Sequence, residues 1–202
     1  MTDQVTVATY PFRSDAEIGK ARLAADGIRS AVKADNEGGL NPGFYKEYGV
    51  RLEVADSDLD DALDSLGIER VEVPRPIAEA IYRHATSAYP NEACGLIAVD
   101  DGGELVFAAC LTNADKSRHR FTIDPHEHHG MVRLCDQRGW TIGALFHSHP
   151  ASEPYPSPSD LDGGGDPEWL HLLIGPMNGR SELKGYRFEG EQVTEVSVTI
   201  GA

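Results

Sequence analysis

The segment HSHPASEPYPSPSD, residues 147 to 160, holds two histidines, four prolines and two acids in fourteen positions. It continues from TIGALF, and the run TIGALFHSH is typical of a β-strand. Alternate side chains of a strand share one face, so His147 and His149 are expected to project together, about two strand rises apart. The pattern therefore indicates two imidazoles that could meet one ion.

The end of the same segment, SPSD, has the form of a helix start. Ser157 is expected to cap the helix, Pro158 to be its first residue and Asp160 to be the acid three positions after the cap. A catalytic zinc site takes three protein ligands and a water, and a carboxylate is a common third ligand. Asp160 is the candidate for that ligand. The alternative is helix initiation without a metal, and the local pattern leaves both open.

A second motif lies upstream, in YPNEACGLI at residues 89 to 97. The combination of this motif with His-Ser-His-Pro, then Ser157, then Asp160 resembles the signature of the JAMM or MPN-plus zinc metallopeptidases. The resemblance covers about residues 75 to 200. Within it, YPNEACGL, TNA, HSHP and PYPS are similar to the bacterial branch that acts on ubiquitin-like sulfur-carrier proteins.

The resemblance implies a role for each motif residue. His147, His149 and Asp160 match the zinc ligands, which leaves one coordination position for water. Glu92 matches the general base, which accepts a proton from that water and passes it to the leaving amine. Ser157 matches the residue that helps to stabilise the tetrahedral oxyanion.

The resemblance also implies a fold and an activity. The expected fold is an α/β (α+β) domain of cytidine-deaminase-like JAMM/MPN architecture, with a mixed sheet flanked by helices. The expected activity is hydrolysis of an amide bond after the C-terminal glycine of a ubiquitin-like or sulfur-carrier protein, or release of an amino acid such as cysteine from such a carrier. The pattern leaves the individual carrier and the oligomeric state open.

One departure from the family follows the third candidate ligand. The family usually continues in a helix, whereas this chain has the run Gly163, Gly164 and Gly165. Each glycine is unfavourable by about 1 kcal/mol relative to alanine in a helix interior. We therefore expect a helix of about one turn, and a rim of altered shape beside an unchanged ligand set.

The other elements of this half follow from periodicity and turn residues. Residues 76 to 90 have apolar residues at helical spacing and are expected to end at Pro90. Residues 124 to 139 are expected to form a helix with Asp124 as cap and Pro125 as first residue. Strands are predicted over residues 92–100, 104–114, 141–149, 170–177, 182–190 and 191–200.

The N-terminal half, residues 1 to 73, reads as strand, helix, strand, strand and helix, which predicts a small α/β sandwich with helices on one face of a sheet. Ser14 is the expected cap of the first helix and Gly27 its stop. This half resembles a small bacterial domain described as signal-transducing, which implies a regulatory or binding role without a known ligand.

The boundary between the halves is expected at VEVPRP, because proline removes a backbone donor and restricts the residue before it. The predicted domains are therefore residues 1–73 and 74–202. Within the first, a loop holding Gly38, Gly39 and Gly43 is expected to connect the two middle strands.

Composition limits the partners and the location. The 202 residues include 33 acidic and 18 basic ones, for a formal charge of -15, which disfavours nucleic acid and anionic membrane surfaces as partners. No apolar run approaches the roughly 18 residues of a membrane span, and the N-terminus lacks the pattern of a secretory signal, so the expected location is the cytoplasm. The three cysteines are widely spaced and are expected to be buried thiols.

The sequence has one basic cluster, a short stretch that holds Lys116, Arg118, His119 and Arg120. A solvated strand end explains such a cluster, and the functional alternative is a dock for a carboxylate or an acidic substrate surface. Two further alternatives concern the whole chain. One is a non-catalytic MPN-like interaction module, and the other is a ligand-sensing regulator in which the N-terminal domain dominates.

Overall fold

The computed structural model describes residues 3–10, 12–34, 50–162, 165–190 and 192–201. These residues form two compact units, residues 1–70 and residues 71–202. The predicted loop at Gly38, Gly39 and Gly43 lies outside the described residues, as do Gly163 and Gly164. Across the parts of the chain that are described, no helix is long and apolar enough to span a bilayer.

The first unit has the elements β1 (Gln4–Tyr10), α1 (Arg13–Ala25), β2 (Ser30–Ala34), β3 (Val50–Ala55) and α2 (Leu59–Leu66), with a short 3₁₀ turn over Asp56–Asp58. The strands form an antiparallel sheet in the order β1-β3-β2, with the two helices packed against it. The apolar cluster includes residues of all three strands and both helices, with Leu23, Leu52 and Leu63 buried at its centre.

The first helix starts differently from the sequence expectation. Helix α1 begins at Arg13, and its cap is Phe12, whose carbonyl accepts the backbone N–H groups of Asp15 and Ala16. The prediction of Ser14 as cap is therefore wrong, because that residue already lies inside the helix, where its hydroxyl donates to the Asp15 carboxylate. The predicted stop is confirmed, since α1 ends at Ala25 and Gly27 follows with a φ of 78°.

The second unit is built on a sheet of seven strands: β4 (Arg70–Val73), β5 (Cys94–Val99), β6 (Leu105–Leu111), β7 (Thr141–Ser148), β8 (Leu170–Gly175), β9 (Glu182–Glu189) and β10 (Gln192–Ile200). Their order in the sheet is β4-β10-β9-β8-β7-β5-β6. Strands β7 and β8 pair in parallel. The pairs β10-β9, β9-β8, β7-β5 and β5-β6 are antiparallel, so the sheet is mixed, as predicted.

Three helices accompany this sheet: α3 (Arg75–Ala88), α4 (Pro125–Arg138) and α5 (Pro158–Asp162). The predicted cap of α4 is confirmed, because the Asp124 side chain accepts the backbone N–H groups of His126 and Glu127. Helix α5 is short, as expected for a chain that continues into glycines. The prediction of an α/β domain with a mixed sheet and flanking helices is confirmed.

The alternation along the central strands sends side chains to two different cores. Phe146 of β7 packs with α3, whereas its neighbour Leu145 packs in the cluster that contains Met131 of α4. His147 has the same parity as Leu145, so its side chain emerges on the α4 side at the carboxyl end of β7. The strand pattern therefore decides on which face of the sheet the candidate ligands gather.

The three cysteines are free thiols. Cys94 and Cys135 are buried, as predicted, and burial raises the pKa of the Cys94 thiol to about 12. The expectation of a buried thiol is wrong for Cys110, which is exposed, because it lies on β6 at the edge of the sheet.

Candidate metal centre

The two histidines at the end of β7 and the acid in the first turn of α5 come together in the structure. The Nε2 atoms of His147 and His149 are 3.1 Å apart. Asp160 lies against both, with Oδ1 at 3.2 Å from His147 Nε2 and Oδ2 at 3.5 Å from His149 Nε2. Among the described residues, these three form the one group of histidine, cysteine or acidic side chains that could hold a metal ion.

The spacing of these atoms matches a tetrahedral ion. Zinc binds histidine nitrogen and carboxylate oxygen at about 2.0–2.2 Å, and a tetrahedron of that radius has edges of about 3.3–3.6 Å. The three separations at the site, 3.1, 3.2 and 3.5 Å, lie close to that value. Two histidines and a carboxylate are also a known donor set for a catalytic zinc with an open fourth position. The residues present therefore fit zinc.

The second ring nitrogen of His149 determines which nitrogen faces the site. Nδ1 of His149 donates to the backbone carbonyl of Glu153 at 2.9 Å, so Nε2 is the ring nitrogen that faces Asp160. His147 is held differently: its ring stacks on Phe121, with the ring centroids 4.8 Å apart. Its Nδ1 is buried and has no hydrogen-bond partner among the residues that the structure describes.

Asp160 has two tasks at once. Its Oδ2 accepts from the backbone N–H of Ser157 at 2.6 Å and from the Ser157 hydroxyl at 2.7 Å, so the acid stabilises the start of the helix. Its Oδ1 faces His147. Helix initiation and a ligand position are alternatives at the level of sequence, and the geometry is compatible with both, because Oδ1 faces His147 while Oδ2 accepts from Ser157 and also lies near His149.

The hydroxyl of Ser157 lies within this cap. Besides its bond to Asp160, it is 2.8 Å from the hydroxyl of Ser159. Its contact with a reacting oxyanion stays a prediction.

The charge states of two of the three residues suit metal ligation. Burial opposes ionisation of Asp160, but its hydrogen bonds with the two histidines outweigh that effect and hold the pKa of the carboxyl well below its usual range. Burial lowers the pKa of His147, which keeps that imidazole neutral at pH 7. His149 differs, because its hydrogen bonds with Asp160 and Glu153 outweigh burial and raise its pKa. A divalent ion needs an ionised carboxylate and imidazoles with a free lone pair, so it would compete with a proton at His149.

Glu92 lies beside the triad because of the register between β5 and β7. Cys94 pairs with His147, and one residue further the backbone N–H of Ala93 donates to the hydroxyl of Ser148 at 2.8 Å. The same antiparallel register brings Glu92 opposite His149. The sequence motif at residues 89 to 97 and the HSH motif are therefore neighbours in space.

The environment of the Glu92 carboxyl is unusual for an acid. The residue is only 4% exposed, and its Oε2 has no hydrogen-bond partner within the described parts of the chain. Burial raises its pKa to about 7, the negative charge of Asp160 adds to that rise, and His149 opposes it. A buried carboxyl with a perturbed pKa next to a potential metal site is a candidate for proton transfer.

A cleft opens next to the triad. Two of the residues that line it, His171 and Phe121, are not predicted as site residues from the sequence. His171 comes from β8, stacks on Phe188 with the ring centroids 3.9 Å apart, and has its pKa lowered to about 4, first by burial. A single histidine inside the otherwise apolar run LHLLIG was the available signal for it. Phe121, the second, had no signal in its sequence context. The cleft is lined by Arg120, Phe121, Leu145, His147, Ser159, Asp160 and His171.

The proline-rich loop between the ligands is anchored to the sheet. Tyr186 of β9 is fully buried, and its hydroxyl donates to the backbone carbonyl of Pro154 at 2.7 Å. Tyr155 packs edge-on against the same ring, and Leu161 packs in the same apolar cluster. This anchor fixes the loop that connects the strand of the histidines to the helix of Asp160.

Comparisons with known proteins agree with this architecture. A sequence profile of the family described as prokaryotic homologs of the JAB domain matches residues 74–188. The CysO-cysteine peptidase of Mycobacterium tuberculosis is 29% identical over 126 residues, which cover 61% of this chain and 86% of that protein. The desampylase of Haloferax volcanii is 29% identical over 113 residues, which cover 55% of this chain and 79% of that protein.

A solved structure is similar over the same part of the chain. The solution structure of a Desulfitobacterium hafniense protein superposes with a TM-score of 0.59 at 29% identity, and the match covers 65% of this chain and 92% of that one.

Proposed function

The chain belongs to the prokaryotic homologs of the JAB domain, and from this premise we propose that it is a zinc-dependent peptidase of JAMM type. It hydrolyses the amide bond after the C-terminal glycine of a ubiquitin-like or sulfur-carrier protein. The similar proteins are named for peptidase and desampylase activities, which supports this class of reaction. The observation that carries the proposal is the buried carboxyl of Glu92 beside a triad with the dimensions of a tetrahedral zinc site.

The proposal assigns His147, His149 and Asp160 as the residues that hold the metal. Bound there, zinc would polarise the substrate carbonyl and lower the pKa of water toward about 7. The chain contributes the preorganisation, because the Glu153 carbonyl fixes one imidazole and the Ser157 backbone fixes the carboxylate.

Glu92 is the general base of this proposal. It takes a proton from the attacking water while the water oxygen forms a bond to the carbonyl carbon of the carrier's last glycine. When the carbon–nitrogen bond breaks, Glu92 delivers the proton to the leaving amine. The hydroxyl now on the carrier carbon loses the second proton of the water to the amine, so the products are the carboxylate of the carrier and an ammonium group, and Glu92 returns to its starting state.

In this proposal, Ser157 stabilises the carbonyl oxygen of the substrate, which becomes negative during the reaction. Its hydroxyl can turn to that oxygen at small cost, because the backbone N–H of the same residue also holds Asp160, at 2.6 Å. A donor placed at a developing oxyanion contributes about 10²–10³ in rate. The buried location of Asp160 supports such a role, since hydrogen bonds are stronger where water is excluded.

The two parts of the chain have different tasks in this proposal. Residues 74–202 carry the chemistry, and residues 1–73 position the substrate or regulate the activity. The non-catalytic interaction module is disfavoured, because the ligand set and Glu92 are all present.

The test uses ubiquitin-like carriers with C-terminal amide extensions. Zinc-loaded protein is incubated with each carrier, and mass spectrometry follows the loss of the extension. We expect cleavage directly after the terminal glycine, which stops with a chelator and returns when zinc is restored. Cleavage that persists after complete removal of metal, or no cleavage of any such carrier by zinc-loaded protein, contradicts the proposal.

A further inference from the structure

We infer that Arg120 binds the free α-carboxylate of an amino acid that leaves, and that this contact makes the enzyme prefer a carrier extended by one amino acid over a carrier joined to a lysine side chain. The inference rests on the proposed function and names a residue that determines its specificity. A carrier linked through the side chain of a lysine has no carboxylate in that place.

The location of Arg120 carries the inference. Arg120 lines the same cleft as His147 and Asp160, and these two residues face each other across the triad. The next residue, Phe121, stacks on the ring of His147. A group bound at the triad and extending into this cleft therefore comes close to Arg120.

The segment that presents Arg120 is fixed to the site. The side-chain amide of Asn113 donates both to the carbonyl of Arg120 and to the carbonyl of Glu92, each at 3.1 Å. Ala114 and Thr122 close the segment with a backbone hydrogen bond of 2.8 Å. One amide thus connects the backbone of the proposed base with the backbone of the proposed carboxylate receptor.

The guanidinium itself is oriented and accessible. Asp115 lies 3.5 Å from its Nε, and Thr122 in turn donates to the Asp115 carboxylate at 2.8 Å. The Arg120 side chain is 71% exposed, and within the described residues its only ion pair is this one, through Nε. The terminal nitrogens can therefore bind a carboxylate with two parallel hydrogen bonds, the geometry that arginine favours.

The charge of the chain favours such a receptor. Bound zinc would offset the charges of Glu92 and Asp160 at the site, but the chain as a whole has a formal charge of -15, which disfavours the approach of an anion. The α-carboxylate of a leaving amino acid lies only two covalent bonds from the nitrogen that departs. A cation in the same cleft would attract this carboxylate. Lys116 and Arg118 belong to the same basic stretch but do not line the cleft.

The experiment compares two substrates and two variants. The substrates are one ubiquitin-like carrier ending in Gly-Gly-Cys, made once with a free carboxylate and once as the C-terminal amide. The variants are Arg120→Gln and the matched control Arg118→Gln, which removes an equal charge two residues away. Zinc content and unfolding temperature are measured for each protein, and kcat/KM is measured for each substrate.

We expect Arg120→Gln to lower kcat/KM about 10- to 100-fold for the free acid, the range typical of a lost charged hydrogen-bond pair. The amide should change less than about 3-fold, and Arg118→Gln should leave both substrates at the wild-type level. Wild-type protein should prefer the acid over the amide by a factor similar to the loss in Arg120→Gln.

Equal losses for acid and amide, or equal effects of the two arginine substitutions, would overturn the inference while leaving the proposed function intact. No cleavage of either carrier by the zinc-loaded wild-type protein would instead remove the proposed function. A binding measurement separates the cases without turnover: the Glu92→Gln protein should bind the acid more tightly than the amide, and the Glu92→Gln, Arg120→Gln protein should bind both alike.

Discussion

The anchor between Tyr186 and Pro154 offers a sharp test of how the ligand geometry is maintained. The substitution Tyr186→Phe removes one hydroxyl from a fully buried ring and keeps the ring itself in place. The carbonyl of Pro154 then loses the donor that lies 2.7 Å away. Pro154 follows Glu153, whose carbonyl orients His149, so the change reaches the metal centre through the backbone of the loop.

The expected size of the effect follows from burial. A buried carbonyl left without its donor costs about 1–3 kcal/mol. The second unit has about 130 residues, for which an unfolding entropy of about 2.1 cal/mol/K per residue gives a shift of about 4 °C per kcal/mol. We therefore expect the unfolding temperature of this unit to fall by about 4–11 °C. Loss of support behind a metal ligand typically weakens metal binding about 10- to 100-fold, and an indirect support should give the lower end.

Both effects can be measured in the full chain. Trp140 and Trp169 are the two tryptophans of the protein, and both lie in the second unit, so their fluorescence reports the unfolding of that unit. Zinc affinity is measured by competition with a chromophoric chelator. The matched control is Tyr155→Phe, which removes a hydroxyl from the neighbouring ring. If Tyr186→Phe has the same unfolding temperature and the same zinc affinity as this control, the anchor does not maintain the site.

Three further outcomes follow from the same structure. In metal-free protein, Glu92→Gln should raise the unfolding temperature at pH 8 but not at pH 4. The pKa of the Glu92 carboxyl is 4.5 in the unfolded chain and about 7 in the folded one, so the folded wild-type protein is progressively destabilised as the pH rises between these values, and Gln removes that cost. Equal shifts at both pH values would contradict this. Gly95→Ala should destabilise the second unit by several kcal/mol in chemical denaturation, since a new Cβ would overlap the Phe146 ring and the Ala109 carbonyl; a neutral effect would show that β5 can shift. Zinc at about 100 times its Kd should stabilise the protein by about 2.7 kcal/mol in the same assay, and Asp160→Asn should reduce this gain; an unchanged gain would place the metal elsewhere.

The local patterns of this chain could be predicted from sequence because each depends on neighbouring residues. Asp124 caps α4 with its own side chain, and the short helix after Ser157 begins where the Ser-Pro pair indicates. The wrong prediction of Ser14 as a cap is also a local error, since helix α1 already begins at Arg13, one residue before the first side chain that could cap it. Cys110 was misjudged because burial on a strand depends on whether the strand lies at an edge, and sequence does not give strand order.

The candidate site could be predicted only in part, and the reason is again distance along the chain. The three candidate ligands His147, His149 and Asp160 lie within one short segment, so their spacing in the sequence is enough to predict that they belong to one site. Phe121 and His171 reach the same cleft from two other segments, through a parallel strand pairing and a fixed loop. Periodicity contains no information about such contacts between remote segments.

The tertiary structure also bears on an ambiguity that the local pattern leaves open. The SPSD sequence suits a helix cap and a metal ligand equally well. In the structure, Oδ2 of Asp160 accepts the backbone N–H of Ser157 and Oδ1 faces His147, so the geometry is compatible with both roles.

The most direct test of the account is a comparison of zinc content and single-turnover cleavage between the wild-type protein and Glu92→Gln. The substitution keeps the size of the side chain and removes only its ability to accept a proton. We expect both proteins to bind one zinc per chain, and we expect Glu92→Gln to cleave the extended carrier at least about 10²-fold more slowly. Cleavage by Glu92→Gln at the wild-type rate with zinc bound, or wild-type protein that cleaves the carrier without binding zinc, would contradict the account.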